Sequence, residues 1–207
     1  MVSLHQNQDR NAGFHLIDDG TLHRMVLAVE KVRERVKRAA TALDAAGIPY
    51  AVVGGNAVAA WVSQVDPSAV RNTQDVDILL NRSDLDLAEK ALEPAGFLRR
   101  VSSGITMFMD GAEARARDAI HVIFAGEKLR PEHIQPAPTL SKVIAGPGHR
   151  LLDLELLVGM KLTSFRLKDQ VHLQDLASVG LIDHDWTGKY PAPLCDRLRQ
   201  VLDNPEA

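Results

Sequence analysis

The sequence predicts an α/β (α+β) protein, with a small mixed β-sheet flanked by helices and a helical C-terminal extension. Short aliphatic runs alternate with amphipathic stretches over the first 150 residues, a pattern typical of a sheet covered by helices. Beyond residue 153 the apolar residues recur at the helical spacings of three and four. We therefore divide the chain into an N-terminal tail (1–20), a core (21–150) and a C-terminal helical segment (151–207).

Composition restricts the class of protein. The 207 residues suit one domain, and 24 Lys and Arg against 27 Asp and Glu argue against a protein that coats nucleic acid. The single cysteine, Cys195, excludes an intrachain disulfide, and we interpret it as a buried apolar filler. The first 20 residues lack the apolar run of a secretory signal. No stretch reaches the roughly 18 apolar residues of a membrane span. We therefore expect a cytoplasmic protein with no membrane partner.

The core begins with an amphipathic helix over Leu22–Ala46, which Gly47 ends and whose basic cluster we interpret as a solvated face. Asp110-Gly111 is a turn signal, although the polar residues after it predict a longer loop. The predicted strands are Tyr50–Val53, Gln74–Leu80, Phe97–Val101, Ile105–Met109, Ala119–Phe124 and a short one at Leu140–Ile144. The further predicted helices are Asn56–Val65, Asp84–Pro94 with Ser83 as N-cap, Leu154–Phe165, Asp169–Val179 and Pro193–Leu202.

One constellation in the core is suited to chemistry. Asp75 and Asp77 are two apart in a predicted strand, so both carboxylates project from the same face. Two neighbouring anions are costly unless a cation joins them, and oxygen ligands of this kind suit Mg²⁺ or Mn²⁺. Gly54 and Gly55 lie between a strand and a helix, where the main chain can approach a ligand and free N–H groups favour an anion. The two glycines alone are also explained by turn or packing requirements, and the two aspartates alone by a solvent-facing pair of charges.

These residues resemble a known family. The run VGG, an alanine-rich helix and then R-x-T-x-D-V-D-I is similar to the nucleotidyltransferase (DNA polymerase β-like) superfamily. In particular, it resembles the branch of AbiEii-type toxins and small antibiotic-nucleotidyltransferase-like proteins. The stretch from Lys161 to Leu176 is similar to the helical segment that follows the core in that branch, and the resemblance runs from Ile48 to Asp183.

The resemblance implies roles for individual residues. Gly54 and Gly55 would bind the phosphates of a nucleoside triphosphate, and Asp75 and Asp77 would hold Mg²⁺ or Mn²⁺. Lys161 would reach toward the triphosphate; the alternative is an exposed lysine on its helix. Arg71 would touch phosphate; the alternative is a local salt bridge to Asp66 or Asp77.

The sequence departs from the family at the third carboxylate. His121, in the run Ile120–Phe124, stands where the family has an acid on a later strand. An imidazole can be a third ligand for Mn²⁺ or a general base toward an acceptor hydroxyl, and the departure also fits a site that has lost its chemistry. Asp118 is an odd number of positions away, so in a regular strand it points to the other face.

Asp169 and His172 are three apart on a C-terminal helix, a spacing that would suit a metal pair. Ion pairing with Arg166 or Lys168 and capping of the helix explain the same residues. We keep both interpretations and favour the second.

The sequence therefore predicts a transferase that moves a nucleoside monophosphate from a nucleoside triphosphate to an acceptor. The acceptor would be a small molecule, a protein or a transfer RNA. The resemblance also implies a toxin that pairs with a cognate antitoxin. The alternatives are a degenerate family member that only binds nucleotide or a partner protein, and a structural domain in which the two acids are a surface feature.

Overall fold

The computed structural model describes residues 18–204 and contains one seven-stranded mixed sheet, which confirms the predicted fold class. The strands run in the order β3-β4-β5-β2-β1-β7-β6. They are β1 (Tyr50–Val53), β2 (Val76–Leu80), β3 (Phe97–Ser102), β4 (Ile105–Asp110), β5 (Ala119–Phe124), β6 (Val143–Ala145) and β7 (Arg150–Leu152). The helices are α1 (Asp19–Ala45), α2 (Gly54–Ser63), α3 (Leu85–Leu92), α4 (Leu154–Ser164), α5 (Leu167–Ser178) and α6 (Ala192–Leu202).

The pairing of the central strands brings the residues of the predicted site together. β1 and β2 are antiparallel, so the last residue of β1, Val53, lies opposite Asp77 near the start of β2. β2 and β5 are parallel, and their register sets His121 beside Asp77. The start of α2, the start of β2 and the middle of β5 therefore meet at one place on the sheet.

A continuous apolar core fixes these strands. Val76, Ile78 and Leu80 are buried as the alternation predicts, but Leu79 on the other face is also fully buried. Both faces of β2 are therefore covered beyond Asp77, and the polar face is limited to its first residues. The helices pack in two groups: α1 contacts α3, while α2 contacts α4 and α5.

Several predicted boundaries differ from the structure for local reasons. β2 begins at Val76 rather than Gln74, because residues 70–75 form an irregular segment that does not join the ladder. α2 begins at Gly54 rather than Asn56, so both glycines belong to its first turn. Ser83 is not an N-cap; it lies in a short 3-10 turn over Arg82–Asp84 that precedes α3.

The strand pairings also show what the sequence pattern missed. The tight hairpin turn falls at Ser103-Gly104, where both residues have positive φ, between β3 and β4. The loop after Asp110 is longer than two residues, as expected, and holds a 3-10 turn over Ala116–Asp118. β7 was not predicted, because three residues between loops give no readable alternation. β7 pairs with β1 inside the sheet. It therefore crosses residue 150, where we divided the core from the C-terminal helical segment.

The C-terminal segment is helical, as predicted, with a 3-10 turn over His184–Lys189 before α6. Cys195 is buried, and its Sγ lies against the carbonyl oxygens of Thr187 and Tyr190, in agreement with the filler interpretation. Across residues 18–204, no helix is both long and apolar enough to cross a membrane.

An ion cluster around a buried arginine ties α1 to the sheet, so the interpretation of the basic cluster as a solvated face is wrong for Arg35. Arg35, only 4% exposed, donates from Nε to Asp110 at 3.1 Å and from Nη2 to Asp118 at 3.3 Å. Arg38 donates to the same Asp110 carboxylate. Asp118 therefore points away from His121, as the odd spacing predicted.

Replacing Arg35 with Ala should lower the free energy of unfolding by about 2–4 kcal/mol, because it leaves carboxylates without their buried partner. Urea denaturation measures the change. Arg33→Ala, at an exposed position of the same helix, is the matched control and should change stability by less than about 0.5 kcal/mol. Equal effects of the two substitutions would show that the cluster does not hold α1 to the sheet.

Candidate functional site

A cavity of about 730 Å³ opens where α2, β2, β5, α4 and α5 meet. Its walls contain every residue of the predicted site except Arg71. The predicted residues that line it are Gly54, Gly55, Asp75, Asp77, His121 and Lys161. This volume gives room for a ligand beside the two acids.

The two glycines are required by close packing against acidic and hydroxyl side chains. Gly54 has φ of +68°, and a Cβ built there would lie 2.1 Å from Asp77 Oδ2. A Cβ on Gly55 would lie 2.9 Å from Thr73 Oγ1. Any larger residue would displace the carboxylate or the threonine. The glycines thus bring the main chain at the start of α2 directly against Asp77.

Asp77 lies at the base of the cavity, and the His121 imidazole is its ion-pair contact at 3.8 Å. The Asp77 side chain is 24% exposed, and within residues 18–204 no donor forms a hydrogen bond with its carboxylate. Burial raises the pKa of Asp77, and the charge of Asp75 raises it further, while His121, Lys161 and Lys168 oppose the rise. The ionised form is therefore costly in this structure, and a cation in the cavity would stabilise it.

His121 and Asp75 both interact electrostatically with this carboxylate. His121 Nδ1 lies 3.8 Å from Asp77 Oδ1, beyond hydrogen-bond distance, and the side chain is 24% exposed. Asp75 lies just before β2, and its carbonyl oxygen accepts a hydrogen bond of 2.6 Å from Asn56 Nδ2. Its carboxylate lies 3.7 Å from Lys168 Nζ on α5 and is 45% exposed. Neither acid is enclosed by basic side chains.

Lys161 is buried at the cavity wall, so the alternative of an exposed lysine is wrong. It is 5% exposed, and its Nζ lies 3.1 Å from Asp169 Oδ1 and 2.9 Å from His172 Nδ1. Burial lowers the pKa of Lys161, while Asp169 and Asp77 oppose that shift. Asp77 is therefore close enough to raise the pKa of Lys161, so the lysine interacts electrostatically with the acidic part of the cavity.

Asp169 and His172 hold the Lys161 ammonium group through hydrogen bonds. Burial raises the pKa of Asp169, but the Arg166 hydrogen bond and the Lys161 charge outweigh it and lower the pKa to about 2. Asp169 also accepts from the main-chain N of Arg166, which caps α5. The favoured interpretation of ion pairing and capping therefore agrees with the structure. Burial and the Lys161 charge lower the pKa of His172 to about 4, so the imidazole is neutral and its Nδ1 accepts a hydrogen bond from Lys161 Nζ.

Arg71 does not reach the cavity. Its Nε and Nη2 each donate to an Asp175 carboxylate oxygen at 3.1 Å, across 104 positions of sequence. A local salt bridge to Asp66 or Asp77 is therefore wrong, and Asp66 instead accepts from Ser68. The position of Arg71 therefore does not support a role in binding phosphate.

The sequence pattern missed part of the cavity wall. The segment 127–137 closes over one side, held at its base by two hydrogen bonds of 2.6 Å from Arg82 to Glu127. Arg82 also lies over the Phe124 ring, 3.7 Å from its centroid. The only signal was the proline-rich composition after residue 131, which indicates a surface loop but no position in space.

The residues present suit a metal that a substrate helps to hold. In the described part of the chain, no three His, Cys, Asp or Glu side chains converge as a metal-binding group. Mg²⁺ is usually bound by one or two carboxylates together with substrate phosphates and water. The donor-free carboxylate of Asp77, with Asp75 beside it, fits that mode and does not fit a closed site made by protein alone.

Comparisons with known proteins give limited similarity. No family model matches the chain, and no curated protein matches it. The solved structure of an antigenic nucleotidyltransferase-like protein from Paracoccidioides brasiliensis is similar over 84% of this chain and 87% of that one, with 19% identity and a TM-score of 0.47. JHP933 from Helicobacter pylori is similar over 92% and 78%, with 16% identity and a TM-score of 0.46.

The structure of ANT(2'')-Ia in complex with adenylyl-2''-tobramycin is similar over 89% of this chain and 99% of that one, with 15% identity and a TM-score of 0.39. Similarity at this level does not establish an activity. The function of the chain has to be inferred from the side chains of the cavity.

Replacing Gly54 with Ala should lower the free energy of unfolding about 1–3 kcal/mol more than Gly47→Ala does. Both glycines have positive φ, of +68° and +67°, but a Cβ at Gly47 meets nothing within 4 Å. The difference therefore isolates the contact with Asp77. Urea denaturation measures it, and Asp77→Ala as a second substitution should reduce the excess. Equal losses at the two glycines would contradict the close approach.

Acidification should destabilise the protein through His172. Its pKa is about 4 when folded and 6.5 for the free side chain, so the unfolded chain takes up the proton first as the pH falls. Between those values the loss of unfolding free energy from this group should be about 2–3 kcal/mol. His172→Asn, which keeps an acceptor for Lys161, should flatten the pH dependence by that amount. His23→Asn, at an exposed position, should leave it unchanged.

Proposed function

We propose that this protein is a metal-dependent nucleotidyltransferase that moves a nucleoside monophosphate from a nucleoside triphosphate to an acceptor hydroxyl. One observation carries the proposal. The donor-free carboxylate of Asp77 lies against the main chain of Gly54 at the base of a 730 Å³ cavity. A carboxylate that is costly to ionise, placed against the first turn of a helix, is suited to a cation bound together with an anion.

The triphosphate is bound by amides and cations. Val53 precedes α2 and provides no side-chain cap, so the first N–H groups of the helix remain available to phosphate oxygens. Lys161 on α4, held by Asp169 and His172, supplies a positive charge at the cavity wall. Lys168 adds a second charge near Asp75. These groups orient the triphosphate and offset its charge.

Asp75 and Asp77 would hold Mg²⁺ or Mn²⁺ together with the phosphate oxygens. The metal, when bound, stabilises the negative charge that develops on the phosphate during transfer. The carboxylates would fix where that charge is stabilised, and the glycine at residue 54 leaves the space that the Asp77 carboxylate occupies.

In the transfer, the acceptor oxygen forms a bond to the α-phosphorus and the bond to the β-phosphate oxygen breaks. Pyrophosphate leaves with the electron pair of that bond. We assign the acceptor proton to His121, which lines the cavity beside Asp77. His121 thus acts as general base at the position where the resembling family has a third acid.

A second candidate is nucleotide binding without transfer. It is favoured by the imidazole at residue 121 and by the lack of a three-ligand group within residues 18–204. Binding that requires the metal but releases no pyrophosphate, with small molecules, proteins and transfer RNA all offered as acceptors, would select this candidate.

Asp77→Asn tests the metal site. Wild-type protein should be stabilised by Mn²⁺ with a non-hydrolysable triphosphate analogue, by about 2.7 kcal/mol at 100 times the dissociation constant. The variant should gain nothing from the ligands, and its unliganded melting temperature should equal or exceed that of the wild type, because a costly charge is removed. Thermal unfolding with and without ligands measures both effects.

Asp196→Asn, in an exposed ion pair on α6, is the control and should respond to ligands like the wild type. Pyrophosphate release from labelled triphosphates should fall at least about 100-fold in Asp77→Asn. Ligand stabilisation that is equal in wild type and Asp77→Asn would refute the metal site.

The toxin role and cognate antitoxin implied by the resemblance remain proposals, as does the cytoplasmic location. Expression of the wild type should inhibit growth of a host cell, whereas expression of Asp77→Asn should not. Growth that is unaffected by the wild type would remove the toxin role and leave the transferase proposal in place.

A further inference from the structure

The segment of residues 70–75 delivers several side chains to the cavity without regular structure of its own. Asn72, Thr73 and Asp75 all line the cavity. No main-chain hydrogen bond joins residues 71–74 to another main-chain group in the described part of the chain. The position of Asp75 therefore depends on side-chain contacts that this segment makes with its surroundings.

Hydrogen bonds hold the segment near both of its ends: Asn56 Nδ2 donates to the Asp75 carbonyl oxygen at 2.6 Å, and Arg71 is bound to Asp175. The Arg71 guanidinium and the Asp175 carboxylate form two parallel hydrogen bonds, both 3.1 Å long. The Asp175 side chain is only 14% exposed, although Arg71 is 61% exposed. A bidentate pair fixes both distance and orientation, unlike a single-point surface ion pair. The contact of Lys168 with Asp75, at 3.7 Å, is longer and made by a single nitrogen.

The partner of Arg71 belongs to a firmly anchored helix. Leu173 and Leu176 of α5 are fully buried, and α5 packs against α2, α4 and α6. Lys168, His172 and Asp175 are four and three apart, so they share one face of the helix. That face contacts Asp75, Lys161 and Arg71 in turn.

We propose that the Arg71–Asp175 pair is a clasp that holds residues 70–75 against α5 and thereby positions Asp75 in the cavity. Arg71 and Asp175 are positioning residues: they act through Asp75 and touch neither nucleotide nor metal. The effect on metal binding rests on the proposed function, whereas the restraint on the segment does not.

Metal titration tests the effect on Asp75. With a non-hydrolysable triphosphate present, Arg71→Ala and Asp175→Asn should each raise the Mn²⁺ concentration needed for half-maximal binding about three- to tenfold. The reversed pair Arg71→Glu with Asp175→Arg should restore most of the loss. Asp196→Asn should change nothing. Melting temperatures without ligand should stay close to the wild type in Arg71→Ala, because the Arg71 side chain is 61% exposed.

Trypsin cleavage tests the restraint without any ligand. Arg71 is itself a trypsin site, so release of its side chain in Asp175→Asn should speed cleavage after residue 71 about three- to tenfold. Mass spectrometry of the fragments follows this one bond, and Asp196→Asn again serves as control.

The two measurements separate the clasp from the proposed function. If wild-type protein binds no Mn²⁺ with nucleotide, the proposed function fails, and faster cleavage in Asp175→Asn still supports the restraint. Unchanged cleavage in that variant overturns the clasp. Faster cleavage together with unchanged Mn²⁺ titration overturns its role in positioning Asp75.

Discussion

The close approach of the Asp77 carboxylate to the main chain at Gly54 is the constraint on which the site depends. It follows from the antiparallel register of β1 and β2, which sets Val53 opposite Asp77. With that register, the end of β1 must turn away immediately, and only glycine leaves space for the carboxylate. The parallel pairing of β2 with β5 brings in His121. Two strand pairings on either side of β2 thus place an acid, a helix start and an imidazole together.

Local features of this arrangement could be predicted because they follow from short-range geometry. Two glycines after a strand indicate a close approach, as found at Gly54. Alternation predicts that Asp75 and Asp77 share one side, and both line the cavity, but Asp75 precedes β2, so strand geometry does not place it. The fold class and most of the strands were predictable from the same periodicities. β7 was not, because its three residues gain their strand conformation from pairing with β1.

Contacts between separate elements of the fold could not be predicted. Lys161 has an ordinary helical spacing, and nothing local shows that Asp169 and His172 of the next helix bury its ammonium. Arg71 has nearby acids in sequence, yet its partner is 104 positions away. In both cases the packing of α5 decides the outcome, and that packing is a property of the whole core.

The raised pKa of Asp77 has an evolutionary consequence. A carboxylate that weakens the unliganded fold is removed by many single substitutions that improve stability, so neutral drift acts against it. A lineage that had stopped using the cavity would therefore lose this acid sooner than an indifferent surface residue.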